Sequence, residues 1–472
     1  MRYSASNVLL TTKHNFMATF ANSPLVPLRQ VISYMSKSYE FSSQFNKEIK
    51  VRPSDNVEIP PLIKHIPEFT VFKKAIVGAP YEVKARALIY AHLMRLGLSS
   101  DTLRKDEVYI IKQCPKLLNE MINSCVSMMT IFSEHCEDRN KRLVAMDHLV
   151  QSMENCMELI PMVIQAILDA SPLTQLPHVD AAVIKGLSSG GKSKIVVKSV
   201  AQLAALPDKK RRLALHSLSD EQYNDVINVL CTMPQAKISA DCEVADEDES
   251  VIWPMTVVTC KIKLERVPLC EAPVLGPSPT SLATSGNNYS PRHVAHSLSE
   301  DEQPHDPISD KFEGWWMYII DRKNKRLVVA PQYIANLQRS LKMDVKFMSP
   351  QQVGQYLYTV YLRSDSYIDF VFSENVKFTV EPLPESIRKQ ILSSMAKSGY
   401  GHHSSDSGED SQGSSADEAP RTKRKEKLVD LYSDEEDESS AYESEAERIY
   451  LAELSKKAET PKAQENILSV EE

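Results

Sequence analysis

Glu313-Gly-Trp-Trp-Met-Tyr-Ile-Ile-Asp-Arg-Lys323 decides the fold when it is set beside Tyr358-Thr-Val-Tyr-Leu-Arg-Ser-Asp-Ser-Tyr367. The first segment holds two of the chain's three tryptophans side by side. Both segments are rich in aromatic and β-branched residues, which suit a pleated surface, and both read as strands. Successive side chains of a strand point to opposite faces. Trp315 and Trp316 are therefore expected on opposite sides of a sheet, one in a core and the other exposed. No catalytic group stands between the two segments. The question they raise is which partner the sheet meets, rather than which reaction it runs.

The same period recurs on either side. Val258, Cys260, Ile262 and Leu264 alternate with Thr259, Lys261, Lys263 and Glu265, the pattern of a half-buried strand. Similar strands are expected over 315–321, 326–330, 343–348, 355–363 and 376–381, and Lys237–Val244 opens the set. Short strands with turn signals between them fit a β-sandwich better than an α/β sheet. Pro268–Asp310, rich in Pro, Ser, Asn and His, has too little apolar content to pack and reads as a disordered insertion.

Towards the N-terminus the period becomes helical. In Val83–Leu98 the apolar positions are Val83, Ala87, Tyr90, Ala91, Met94 and Leu98, with Lys84, Arg86 and Arg95 elsewhere on the wheel. Ile111, Leu118, Cys125 and Phe132 form one heptad row, with Met121 and Met128 beside it. Met146, Met153, Ile160 and Ile167 repeat the row, with Leu149, Cys156 and Val163 beside it. Two such helices joined by the polar turn Glu134–Arg142 predict an antiparallel pair. Their methionines read as core filler at this spacing, and Pro115 and Pro161 are expected to start or kink helices. Ser199–Leu206 and Asp208–Leu230 form a further helical pair, with Ser199 and Asp208 as N-caps. The basic run Lys209-Lys-Arg-Arg212 reads as a solvated helix face.

Length and composition bound the function. A chain of 472 residues accommodates two or three domains. Its net charge of −8 argues against nucleic-acid binding by the whole chain. The eight cysteines include no CxxC pair and read as reduced core residues. No apolar run is long enough to span a bilayer, and Met1-Arg-Tyr-Ser-Ala lacks a signal-peptide layout.

Gly186-Leu-Ser-Ser-Gly-Gly-Lys-Ser193 satisfies the P-loop pattern. That chemistry needs a buried strand before the loop and a helix after it. Here the preceding Asp180–Lys185 looks helical and the following Lys194–Lys198 extended, so a Gly/Ser turn between helices is the preferred reading. Histidines are scattered, and neither a metal-ligand spacing nor a nucleophile elbow is present. No enzyme activity, cofactor or metal is expected.

Beyond residue 385 the chain is of low complexity. Asp434–Glu447 is strongly acidic and follows a basic cluster at Arg421, Lys423, Arg424, Lys425 and Lys427. In Ser433-Asp-Glu-Glu436 the carboxylates follow a serine by one to three residues, the arrangement an acidophilic kinase reads. The tail either docks a basic partner or only solubilises.

Several stretches together resemble the Sec sixty-three family, the J-protein subunit of the endoplasmic-reticulum translocation complex. They are Tyr39-Glu-Phe, Gln44-Phe-Asn-Lys-Glu-Ile-Lys50, Tyr81–Leu88 with His92-Leu93, Gln113–Met121, Glu154–Leu159, Ser171–His178 and the two aromatic strands. The resemblance covers roughly 1–382 and is to the family's C-terminal cytosolic half, without the J-domain and membrane spans. It implies an α+β multidomain chain. A helical bundle (1–178) is followed by a helix-loop-helix module (179–235) and a fibronectin type III or immunoglobulin-like sandwich (236–382) interrupted at 268–310. A disordered acidic tail (383–472) ends the chain. It also implies a non-enzymatic scaffold at the cytosolic face of the endoplasmic reticulum membrane. The sandwich would touch the protein-conducting channel, and the tail would bind a basic Sec sixty-two type subunit after phosphorylation by an acidophilic kinase. The residues expected to meet partners are Arg363, Asp365 and Tyr367 at the strand end, and Ser433, Asp434, Glu435, Glu436, Asp437 and Glu438 in the tail. The same domain pair occurs in RNA and DNA helicases, so an RNA-binding accessory module is the alternative, with a P-loop NTPase behind it.

Overall fold

The computed structural model describes residues 3–389 except 48, 50, 72–77, 169–170, 191–193, 245–250, 271–311, 336 and 386–388. The tail serines and acids, and most of the expected insertion, lie outside the described residues. Among the described residues, helices occupy the first half: α1 (Leu10–Asn22), α2 (Leu28–Met35), α3 (Asp55–Lys64), α4 (Pro67–Val71), α5 (Pro80–Leu93), α6 (Asp101–His135), α7 (Arg139–Gln165), α8 (Ala181–Ser189), α9 (Val200–Ala205), α10 (Asp208–Ala214) and α11 (Asp220–Thr232). Strands follow: β1 (Pro234–Val244), β2 (Val257–Pro268), β3 (Trp315–Asp321), β4 (Arg326–Ile334), β5 (Ser340–Met348), β6 (Gly354–Ser364) and β7 (Val371–Val380). None of these helices is long and apolar enough to cross a membrane.

The heptad rows form α6 and α7. Ile111, Leu118, Cys125, Leu149, Cys156 and Val163 are all fully buried. The helices are joined by three residues, so they run antiparallel. Ser100 caps α6 by accepting from the Leu103 amide, and Asp138 caps α7 by accepting from Asn140 and Lys141. Pro115 and Pro161 start neither helix, since both lie inside one.

Two of the three charges that the wheel placed away from the core, Lys84 and Arg86, are in fact inside. Lys84 is 1% exposed, and its Nζ donates to Asp55 Oδ1 at 2.9 Å and meets Asp106 Oδ2 at 2.7 Å. Arg52 completes the cluster through both carboxylate oxygens of Asp106. Arg86 is also buried and donates to Ser36 Oγ. Periodicity alone cannot see such partners, because they arrive from α3 and α6. The helix ends at Leu93 rather than Leu98. Arg95, at φ 54°, turns back and donates to the last α7 carbonyls, Gln165 and Ala166.

Around a second core, Ser199 caps α9 as expected, but Asp208–Leu230 is two helices. A capping box between Ser219 and Gln222 starts α11 afresh. Asp208 lies inside α10 and accepts from the Tyr223 hydroxyl at 2.7 Å. Arg211, expected in solvent, is buried and donates to the carbonyls of Leu203, Ala204 and Leu206, closing the C-terminus of α9. Before the P-loop-like stretch, where a strand is required, the chain is the helix α8, and residues 191–193 lie outside the described residues. Gly190, at φ 74°, caps the C-terminus of α8, an end that presents carbonyls rather than amides.

The strands make two antiparallel sheets, ordered β1-β2-β5 and β4-β3-β6-β7. Their inner faces share one core, which includes Ile262, Leu264, Trp315, Val345, Val360 and Val376. Every residue of β3 is buried, although only one of its faces looks into that core.

Candidate interaction site

The outer face of β3 explains this double burial. Trp315, Met317 and Ile319 face the two-sheet core, while Trp316, Tyr318 and Ile320 belong to the core of the helical bundle. The expectation that one tryptophan is exposed is therefore corrected: Trp316 is only 6% exposed because the bundle covers it.

Polar contacts along α7 fix this contact. The Tyr318 hydroxyl donates to Glu154 Oε1 at 3.0 Å, and Arg322 Nη2 donates to the same oxygen at 2.7 Å. Arg322 also donates through Nε to the Tyr361 hydroxyl and lies over its ring at 4.7 Å. Tyr318 and Tyr361 are register partners whose rings stack at 5.2 Å. Lys325, in the β3–β4 turn, reaches Asp147 at 2.8 Å. Burial, more than the neighbouring charges, raises the Tyr318 phenol above its ordinary value.

The other end of this face holds the expected partner residues. Asp365 is 2% exposed. Its Oδ1 accepts from the Gly314 amide at 2.9 Å and from the Ser366 hydroxyl at 2.7 Å, and its Oδ2 accepts from the Tyr333 hydroxyl at 2.7 Å. A Cβ at position 314 would run into Tyr333 and Asp365, which is why glycine stands there. Tyr367 is buried against Phe370 in the second core, with its phenol also raised by burial. Gln165 donates to Ser366 O at 2.8 Å. Gln175 accepts from the Ile368 amide at 2.7 Å and donates to its carbonyl at 3.0 Å.

The structure thus brings Arg363, Asp365 and Tyr367 together, but it uses two of them as internal fasteners. Arg363 alone of the three is half-buried, opposite Trp316 across the β3–β6 ladder. The Nε of Arg363 and the Nε1 of Trp316 are both buried without a hydrogen-bond acceptor. Glu154 and Gln175, in stretches named only for the resemblance, received no contact role from the sequence, and Gln165 was not singled out at all. The continuous apolar run Trp315–Ile320 was the available signal, since a strand without polar alternation is buried on both faces.

A model of the Sec63 Brl domain matches residues 7–377, which include all of the three cores except Phe378 and Val380 of the two-sheet core. The chain is 25% identical to the translocation protein SEC63 homolog of Homo sapiens, over 82% of this chain and 67% of that protein, and 26% identical to the Mus musculus counterpart over the same shares. It is also 28% identical to the U5 small nuclear ribonucleoprotein 200 kDa helicase of Homo sapiens, over 62% of this chain but 11% of the helicase. With most of its length matched by a single model, the chain belongs to the Sec63 Brl domain family.

Proposed function

We propose that this chain is a non-enzymatic scaffold in protein translocation into the endoplasmic reticulum, working at the cytosolic face of that membrane as part of a complex. The observation that carries the reading is the family match across residues 7–377, together with relatives named as translocation proteins. The helicase relatives do not displace it, because this chain covers only 11–13% of their length.

The work is divided among the parts expected from the sequence: a bundle over 1–178, a helix-loop-helix module over 179–235, a fibronectin type III-like sandwich over 236–382 and an acidic tail beyond. The sandwich meets the protein-conducting channel and favours its open state through differential contacts. Arg363 is the direct contact at the strand end, with Asp365 and Tyr367 holding the chain behind it. Ser433, once phosphorylated by an acidophilic kinase, joins Asp434, Glu435, Glu436, Asp437 and Glu438 in recruiting a basic subunit electrostatically.

The test titrates the full chain with a lysine-rich peptide, before and after casein-type kinase treatment and across salt concentration. Phosphorylation should tighten binding about tenfold at low salt, and rising salt should erase the gain. Unchanged peptide affinity alongside tight RNA binding would sink the translocation reading in favour of the helicase-type module.

A further inference from the structure

All eight cysteines are free thiols, yet six stand in three neighbouring pairs. Cys125 adjoins Cys156 between α6 and α7, Cys242 faces Cys260 across β1 and β2, and Cys231 lies beside Cys270. Access sets apart only the first pair: Cys125 and Cys156 are fully buried, whereas Cys242, like Cys231, is half-buried, beside a Cys260 that lies 1% exposed in the two-sheet core. The sulfurs of Cys231 and Cys270 stand 3.3 Å apart, with Cys231 only half-buried.

The last pair also occupies a junction. Cys231 sits in the final turn of α11, and Cys270 lies two residues past the end of β2. The Leu269 amide donates to Met233 O at 2.9 Å, and Pro234 pairs with Pro268 at the end of the β1–β2 ladder. Arg266 donates to Thr232 O at 3.0 Å and grips both carboxylate oxygens of Glu313, two residues before β3. The end of α11 and the chain on either side of segment 271–311 therefore converge on one point, and the dithiol stands there.

We propose that Cys231 and Cys270 form a modification site, a dithiol that closes to a disulfide by exchange with a small-molecule disulfide of the glutathione disulfide class. The Cys231 thiolate attacks one sulfur of the reagent, forms a mixed disulfide and releases one glutathione thiolate, which takes up a proton. Cys270 then gives up its proton and attacks the Cys231 sulfur, releasing the second glutathione as its thiol. Two cysteine thiols are oxidised and one glutathione disulfide is reduced to two glutathiones. The order follows from access, since the half-buried sulfur meets the reagent first. Burial, the largest cause, pushes the Cys270 thiol up to about 12, so little of it is thiolate and it is the poorer first nucleophile; its attack on the mixed disulfide relies on being intramolecular. The sulfurs need only close from 3.3 Å to a bond of about 2.05 Å, and the backbones on both sides are already fixed. The product would tie α11 covalently to the chain entering segment 271–311.

The test incubates the full chain with glutathione disulfide and reduced glutathione at rising ratios and maps peptides without reduction. The expected first cross-link is Cys231–Cys270. Cys270→Ser should trap glutathione on Cys231, whereas Cys231→Ser should leave Cys270 unmodified. Hydrogen exchange at the Leu269 amide should slow about tenfold on oxidation and recover on reduction. A Cys242–Cys260 cross-link appearing first would overturn the proposal. So would glutathione accumulating on Cys270 rather than Cys231, or a chain that stays reduced where its urea-unfolded form oxidises.

Discussion

Glu154 and Tyr318, 164 residues apart in the chain, meet through a 3.0 Å hydrogen bond that fastens α7 to the outer face of β3. The same carboxylate oxygen also receives Arg322, so one helical residue holds both a strand and the turn after it.

Removing the Tyr318 hydroxyl should therefore cost less than removing its acceptor. Tyr318→Phe should lower stability by about 1 kcal/mol, and Glu154→Ala by about 2 kcal/mol, because the latter also strips Arg322 of its carboxylate. A double-mutant cycle read by urea unfolding should show coupling of about 1 kcal/mol. Strict additivity would mean the bond contributes nothing.

Lys84 stands between two buried carboxylates, Asp55 and Asp106. Lys84→Met keeps the stem but leaves the carboxylates facing each other, and should cost about 3–5 kcal/mol. Lys325→Ala, which breaks a pair whose lysine is 52% exposed, should cost under about 1 kcal/mol. Similar unfolding midpoints for the two variants would contradict the burial assigned to Lys84.

Several phenols are held neutral by the fold. Burial first, then nearby charge, pushes Tyr81 and Tyr358 up to about 12, and raises Tyr318, Tyr333 and Tyr367 as well. An unfolded phenol ionises near pH 10 or so. The unfolded chain then loses protons that the folded chain keeps, so stability falls as pH rises. It should be intact below about pH 10 and decline from there through about pH 12. Urea midpoints measured across that window, with phenolate absorbance recorded in parallel, check the sign. A midpoint that holds steady to pH 12 would refute it.

Gly314 is crowded by the Tyr333 hydroxyl and the Asp365 carboxylate. Gly314→Ala should cost about 1–3 kcal/mol through overpacking. Tyr333→Phe in the same background should not restore it, since the ring remains. Full stability of Gly314→Ala would show that the strand end is looser than its hydrogen bonds suggest.

The strands and heptad helices were legible because their signals are local. Alternation in Val258–Glu265 and the rows through Cys125 and Cys156 need no knowledge of a neighbour. Lys84 and Arg211 were misread for the opposite reason. A wheel marks a charge as solvent-facing, and only the arriving carboxylates of Asp55 and Asp106, or the end of α9, make burial affordable. Trp316 failed similarly: its strand period was plain, but the helix that covers it comes from another part of the chain. The burial of the strand-end residues Asp365 and Tyr367 depended on Gly314, Tyr333 and Gln175, which the pattern did not connect.

β3 is a wall shared by two rooms. Peeling the bundle from the sheets would expose Trp316, Tyr318 and Ile320 together, at a cost of roughly 5 kcal/mol or more by the usual value for burying large side chains. Neither room can be emptied without stripping one side of that wall, so the two cores should loosen together.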